Sequence, residues 1–240
     1  MPKLEIAVTS LEEALRAEEG GADSVEVSVN LAVGGTTPPI EMVEAVVRAV
    51  RIDVHVLVRP HAESFHYSAA DIDRIIEDCS RLSKLKIKSI VFGAWDRQHR
   101  LDLALIAKVQ AAALPAPVTV HRALDRSLNP EDALDALTKL GIKRVLTAGA
   151  AATAWDSRQQ LAQWVAAFGS QINFVAAGSL RLLEIPELIS QVNAHAYHFG
   201  SAARSNGRVD AAKVRELRAA LHTDSAGLTE RASFPGEKRQ

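Results

Sequence analysis

The sequence predicts a single-domain (βα)8 barrel, and three observations predict it. Short β-branched runs alternate eight times with helical patterns, which calls for parallel strands returned by crossover helices. Five of those strands carry ionisable groups at alternate positions, so one face of each points at a shared axis. A chain of 240 residues that is 48% hydrophobic has the length and core content of one closed barrel.

Local chemistry accounts for each element in order. Residues 4–8 read as the first strand; Ser10 and Glu13 form a capping box that opens a helix, and Gly20 with Gly21 closes it. Residues 24–28 give the second strand, a loop follows over 30–39, and Met42, Val43, Val46, Val47 and Val50 mark the second helix. The third strand spans 53–59; its polar loop, 60–68, holds His61, His66 and Tyr67, and Ser68 caps a long helix to residue 85. Residues 87–93 form the fourth strand and 101–113 its helix.

At 118–125 the run Val-Thr-Val-His-Arg-Ala-Leu-Asp ends a β-branched strand in three ionisable groups, which is how a strand finishes in a site. Pro115 and Pro117 bar helix before it; Asn129, Pro130 and Glu131 read as N-cap, first-position proline and first-turn acid after it. Gly141 ends that helix, residues 142–147 give the sixth strand, and the small-residue loop 148–153 leads into a helix over 155–168. The seventh strand is 171–176, with a helix over 182–192 that Pro186 bends or delays. The eighth is 194–199, with a loop over 200–207 and a last helix over 210–221. The barrel thus occupies 1–222, and the polar, aperiodic stretch 223–240 reads as a disordered tail.

The bulk numbers exclude some functions. With 28 Lys and Arg against 29 Asp and Glu, no basic excess points to nucleic acid or an anionic membrane. No cleavable leader pattern and no apolar run near 18 residues occurs, so a cytoplasmic protein is expected. One cysteine forbids an intramolecular disulfide; Cys79 falls on the apolar stripe of Ile72, Ile75, Ile76 and Leu82 and reads as core. Walker, dinucleotide and His-Glu-x-x-His motifs are absent.

Period-two alternation turns Glu5, Ala7, Glu26, Ser28, His55, Leu57, Arg59, Thr119, His121 and His198 into the barrel. Isolated buried charges are unstable, so these groups pair, bind metal or meet a ligand. One alternative is a closed network, such as Glu5 or Glu26 with Arg59, that only fills the barrel. The other is a site at the carboxyl ends of the strands, where barrels place their reacting groups. In it Glu5, Glu26, His121 and Asp125 are catalytic candidates, with a glutamate as base and His121 as acid or electrophile. Arg59, Arg122 and His198 would hold an anion, joined by Gly178 and Ser201 in the loops after strands seven and eight, where Arg204 nears the rim. The glycines of those loops, Gly178 and Gly200, also serve simply to turn the chain. Glu5, Glu26, His121 and His198 are the metal candidates, suited to zinc, manganese or iron. Trp95 and the loop residues His61, His66 and Tyr67 read as ligand or lid contacts or as solvated positions; His99, His195, His222, Trp155 and Trp164 read as surface or packing residues.

Several pieces, in order, resemble the CutC family. They are Leu4-Glu5-Ile6, Ala22-Asp23-Ser24-Val25-Glu26, Gly34-Gly35-Thr36-Thr37-Pro38, Val58-Arg59-Pro60, Phe65-His66-Tyr67-Ser68, His121-Arg122-Ala123-Leu124-Asp125 and Arg144-Val145-Leu146-Thr147-Ala148-Gly149. The resemblance implies a TIM-type barrel, a cytoplasmic homodimer, copper homeostasis and copper as the bound ligand. It also implies that Glu5, Glu26, Arg59, His121, Arg122, Asp125 and His198 match the family's recurrent polar positions. Members proposed to bind copper carry cysteines just after the first two strand glutamates, where this chain has Ala7, Val8 and Ser28. Thiolates select Cu(I), so that ligand set is missing. The second expected function is an enzyme using acid–base chemistry on a small polar or anionic metabolite such as a sugar or sugar phosphate.

Overall fold

Alternate residues of every strand have two different environments, and the barrel follows from that. In the computed structural model, which describes residues 1–222, Leu4, Ile6, Val8, Val25, Val27, Val54, Val56, Val118, Val120, Tyr197 and Phe199 lie in one continuous apolar core. This is the layer between sheet and helices, where each Val or Leu contributes about 1.5–3 kcal/mol by leaving water. A second, small apolar cluster is made of Leu146, Val175, Ala177 and Ala196. Glu5, Ser24, His55, Ser89 and Thr119 are also buried, so polar groups fill much of a space that branched apolar residues normally occupy.

The strands are β1 (Lys3–Val8), β2 (Ser24–Val27), β3 (Asp53–Leu57), β4 (Ser89–Phe92), β5 (Val118–Val120), β6 (Arg144–Thr147), β7 (Asn173–Ala176) and β8 (Ala196–Phe199). They are parallel and pair in sequence order, and β1 closes on β8 with Glu5 opposite His198. Between them run α1 (Leu11–Glu19), α2 (Ile40–Ala49), α3 (Ala69–Leu82), α4 (Leu103–Ala113), α5 (Pro130–Lys139), α6 (Arg158–Phe168) and α7 (Ile185–Val192), with α8 (Ala211–His222) last. None of the described helices is long and apolar enough to cross a membrane. The expected tail, 223–240, lies outside the described residues.

The caps depart from expectation in ways that bear on the site. Ser10 accepts from the Glu13 N–H, but the Glu13 carboxylate, rather than closing a box on Ser10, accepts from Thr9 N–H (2.8 Å) and pairs with Arg204 (2.8 Å). Asn129 caps α5 without its side chain: it sits left-handed, at φ 51°, and Pro130 starts the helix. The full box belongs to Ser68 and Asp71 at α3, which ends at Leu82 rather than 85. Pro186 lies in the first turn of α7 and delays the helix rather than bending it. After β8 the chain makes a short 3-10 turn, Ser201–Ala203, and a two-residue hairpin, Arg204–Ser205 with Arg208–Val209, neither of which the sequence signalled.

Candidate functional site

The carboxyl ends of the strands open into a cavity of about 440 Å³. Glu26, Arg59, His121, Arg122 and His198 line it, with Gly178, Ser179, Gly200 and Ser201 from the loops after β7 and β8. Those loops sit where barrels hold anions.

Beneath the cavity, Glu5 is fully buried and saturated. Its Oε2 accepts from Arg144 Nη2 (2.6 Å) and Ser24 Oγ (3.1 Å) and lies 3.4 Å from His55 Nε2; its Oε1 is 3.0 Å from His198 Nδ1. Burial alone would raise its pKa, but Arg144, His55 and His198 together hold it well below the usual carboxylate range. Burial pushes His55 down to about 4, so His55 is neutral and its contact with Glu5 is not an ion pair. Its Nδ1 meets Ser89 Oγ at 2.6 Å, and Ser89 meets Thr119 at 2.8 Å. Neither glutamate pairs with Arg59. Arg144 pairs with Glu5 instead, from a strand position that sequence pattern does not mark as functional.

Glu26 has the opposite character. It is 8% exposed, no hydrogen bond reaches its carboxylate among the described residues, and burial, aided by the Glu5 charge, raises its pKa. Burial would lower the pKa of the neighbouring His198, but the Glu5 hydrogen bond and both carboxylates raise it, favouring the imidazolium.

His121 is held the other way. The Ala123 N–H donates to its Nδ1 (3.1 Å), so the neutral ring carries its proton on Nε2, a buried atom without a partner among the described residues. Burial, with the Arg59 and Arg122 charges, lowers its pKa to about 3. The ring packs on Phe65, centroids 4.8 Å apart, and a Cβ on Gly93 would come within 2.6 Å of Nδ1.

The two arginines are less free than their positions implied. Arg59 Nη1 donates to the Val33 and Gly35 carbonyls (both 3.1 Å) and Nη2 to Ala62 (3.0 Å), while its guanidinium lies 4.7 Å over Phe65. It therefore ties down two loops at the mouth. Arg122 donates from Nε to Asp125 (2.8 Å) and from Nη2 to Ala151 (3.2 Å) and Ala152 (2.9 Å); Nη1 has no acceptor among the described residues. Asp125 is buried and takes Thr147 Oγ1 and the Ala148 N–H as well as Arg122, so it braces Arg122 and is not among the cavity-lining residues. Arg204 is bound to Glu13 and the Ala7 carbonyl (3.1 Å). Trp95, packed against the apolar core and not among the cavity-lining residues, donates from Nε1 to the Ala123 carbonyl (2.8 Å).

Of the four metal candidates, Glu5, Glu26 and His198 have ligand atoms within 4.8 Å of one another; His121 is not in that group. Two carboxylates and an imidazole suit a hard or borderline divalent ion. They lack the soft sulfur donors that select Cu(I). Cys79 is buried in the apolar core with its thiol pushed up to about 12, and the cavity wall holds Ala7 but no cysteine among the described residues.

A protein-family model described as the CutC family matches residues 2–203. A family protein CutC of Mesorhizobium japonicum is 32% identical over 201 residues, 84% of this chain and 78% of that protein. One from Xanthomonas axonopodis pv. citri is 34% identical over 195 residues, 81% of each. Among solved structures, CutC from Streptococcus agalactiae, which bears a copper-homeostasis name, superposes with a TM-score of 0.79 at 22% identity, covering 84% of this chain and 99% of that one. Phosphoribosylanthranilate isomerase from Pyrococcus furiosus gives 0.60 at 17% identity, covering 92% and 98%. The two structures establish only the barrel. The family model spans this chain from β1 to the turn after β8, two relatives above 30% identity cover more than four fifths of it, and the chain belongs to the CutC family.

Proposed function

We propose that the chain is an enzyme that moves a proton on a small polar or anionic carbonyl compound. One observation carries the reading: a neutral histidine with an unpartnered Nε2–H shares a cavity with a carboxylate whose pKa is raised. The base is Glu26, whose pKa is shifted toward the range in which a carboxylate takes and returns a proton. It removes a proton from the carbon next to a carbonyl, the electron pair moves to the carbonyl oxygen, and His121 Nε2–H donates to that oxygen. A neutral imidazole suits this role because it stabilises the developing charge without giving up its proton early. His198, whose imidazolium form the two glutamates favour, in turn favours the ionised form of Glu26. Where the first carbon bears a hydroxyl, His121 passes a proton to the former carbonyl oxygen and takes one from that hydroxyl, which becomes the new carbonyl as Glu26 returns its proton to the neighbouring carbon, and the isomer results.

The copper-handling reading rests on the name the family carries. Support for it would need a sulfur donor in the cavity, and the one cysteine lies elsewhere. A cytoplasmic location, expected from the sequence and from the family, and a homodimer, which rests on the family alone, are further proposals.

The test is deuterium incorporation from heavy water into a panel of small phosphorylated and unphosphorylated aldehydes, ketones and sugars, followed by NMR. At least one compound should exchange with the wild-type chain, and Glu26→Gln should slow that exchange by about 100-fold or more. No exchange with any compound, or equal exchange by the variant, would count against the reading. Titration with Cu(I) should show no tight stoichiometric site; if one appears and is lost with His198→Ala, copper binding replaces it.

A further inference from the structure

We infer that the loops after β7 and β8 form a phosphate subsite, so that the compound taken by the cavity is a phosphate monoester; what the rest of that compound does rests on the proton-transfer reading above. Among the described residues, three arginines line the cavity against one lining carboxylate, Glu26. Arg59 and Arg204 are engaged by backbone carbonyls and Glu13. Arg122 is the arginine with an open terminal nitrogen, and its other bonds fix where that nitrogen points. A Cβ on Gly178 would lie 3.3 Å from Arg122 Nη1, so the guanidinium stands directly against the β7 loop.

That loop is shaped to expose its amides. The last ladder bond is Ala177 N–H to Thr147 (2.9 Å), after which Gly178 and Ser179 are both left-handed, at φ 95° and 51°. Two such residues in a row turn the backbone N–H groups out of the ladder. Among the described residues the N–H groups of Gly178, Ser179, Gly200 and Ser201 have no acceptor, and neither serine hydroxyl has a partner. Arg122, braced by the buried Asp125, completes the set.

The number and spread of these donors decide the ligand class. A carboxylate offers two coplanar oxygens, which one guanidinium can satisfy bidentately. Here donors come from two loops and a side chain, an arrangement that matches the three divergent oxygens of a phosphate. The other end of the cavity holds Glu26 close to Glu5, which would repel a second anion. The ligand is therefore anionic at one end and neutral at the other.

Calorimetric titration of the full chain with inorganic phosphate and with glycerol phosphate tests the inference, with acetate and glycolate as carboxylate controls. Both phosphate probes should bind, and the carboxylates should bind at least ten-fold more weakly. Ser201→Asp places an anion at an exposed rim position; it should weaken phosphate binding at least ten-fold with an unchanged melting temperature. Arg122→Gln should weaken it similarly. Absence of phosphate binding, equal binding of acetate, or undiminished binding by Ser201→Asp would overturn the subsite. Failure of the subsite and failure of the reaction are separable. Phosphate binding lost in Ser201→Asp, with no deuterium exchange into any compound, leaves the subsite standing and removes the chemistry. Exchange confined to unphosphorylated compounds does the reverse.

Discussion

At the scale of single residues, the floor of the barrel is a set of charges that need one another. Glu5 has no access to water and depends on Arg144, His198, His55 and Ser24. Arg144→Met should therefore lower stability by about 3–5 kcal/mol, since it strands a buried carboxylate; chemical denaturation measures this, and a loss below about 1 kcal/mol would show that Glu5 is not held by that ion pair. Gly93→Ala should perturb His121 first, because its Cβ would overlap the ring at 2.6 Å. A destabilisation of about 1–3 kcal/mol is expected, and a wild-type melting curve would mean that the ring is free to move. Glu26 and His121 were legible in the sequence because strand alternation fixes which way a residue faces. Arg144 was not: it opens a strand, where a long cation ordinarily reaches solvent, and only the closed barrel brings it to Glu5 from 139 positions away.

Elements were legible where a stripe or a cap marks them, and less so where the chain turns by hydrogen bonds distant in sequence. The mouth loops are the clearest case. The 3-10 turn Leu31–Val33 contains no buried residue, and it is held by Arg59 donating to the Val33 and Gly35 carbonyls. The sequence placed Arg59 at the site but could not say that two of its nitrogens face backbone. Arg59→Ala should speed amide exchange across residues 30–37 and 60–66 while leaving that of β1 and β2 unchanged. Uniform acceleration over the whole barrel would contradict a local tie. The hairpin after β8 was invisible for a related reason: two-residue strands carry no period, and this one is placed by Glu13 reaching both Arg204 and the Val209 N–H (3.3 Å).

For the whole molecule, the polar interior makes stability depend on pH with a definite sign. His55 and His121 are near 4 and 3 in the fold against 6.5 in the unfolded chain. The unfolded chain then binds more protons between those values, so the contribution of each ring is full above pH 6.5 and is lost as pH falls below it. The slope is about 1.4 kcal/mol per pH unit for each ring. Glu5, with its lowered pKa, acts in the same direction at lower pH. His198 and Glu26, both raised, act oppositely: their contributions are present at low pH and are lost as pH rises through their folded values. Denaturation midpoints should fall from pH 6.5 to 4.5, and His55→Gln should flatten that fall; parallel curves for wild type and variant would show that His55 is not buried neutral.

The proposed chemistry turns on the protonation of one ring, and nitrogen-15 NMR of His121 in the full chain observes it directly. The geometry requires a neutral imidazole with its proton on Nε2 at pH 7, unchanged on acidification to about pH 4. An imidazolium forming near pH 6, or a proton on Nδ1, would contradict it.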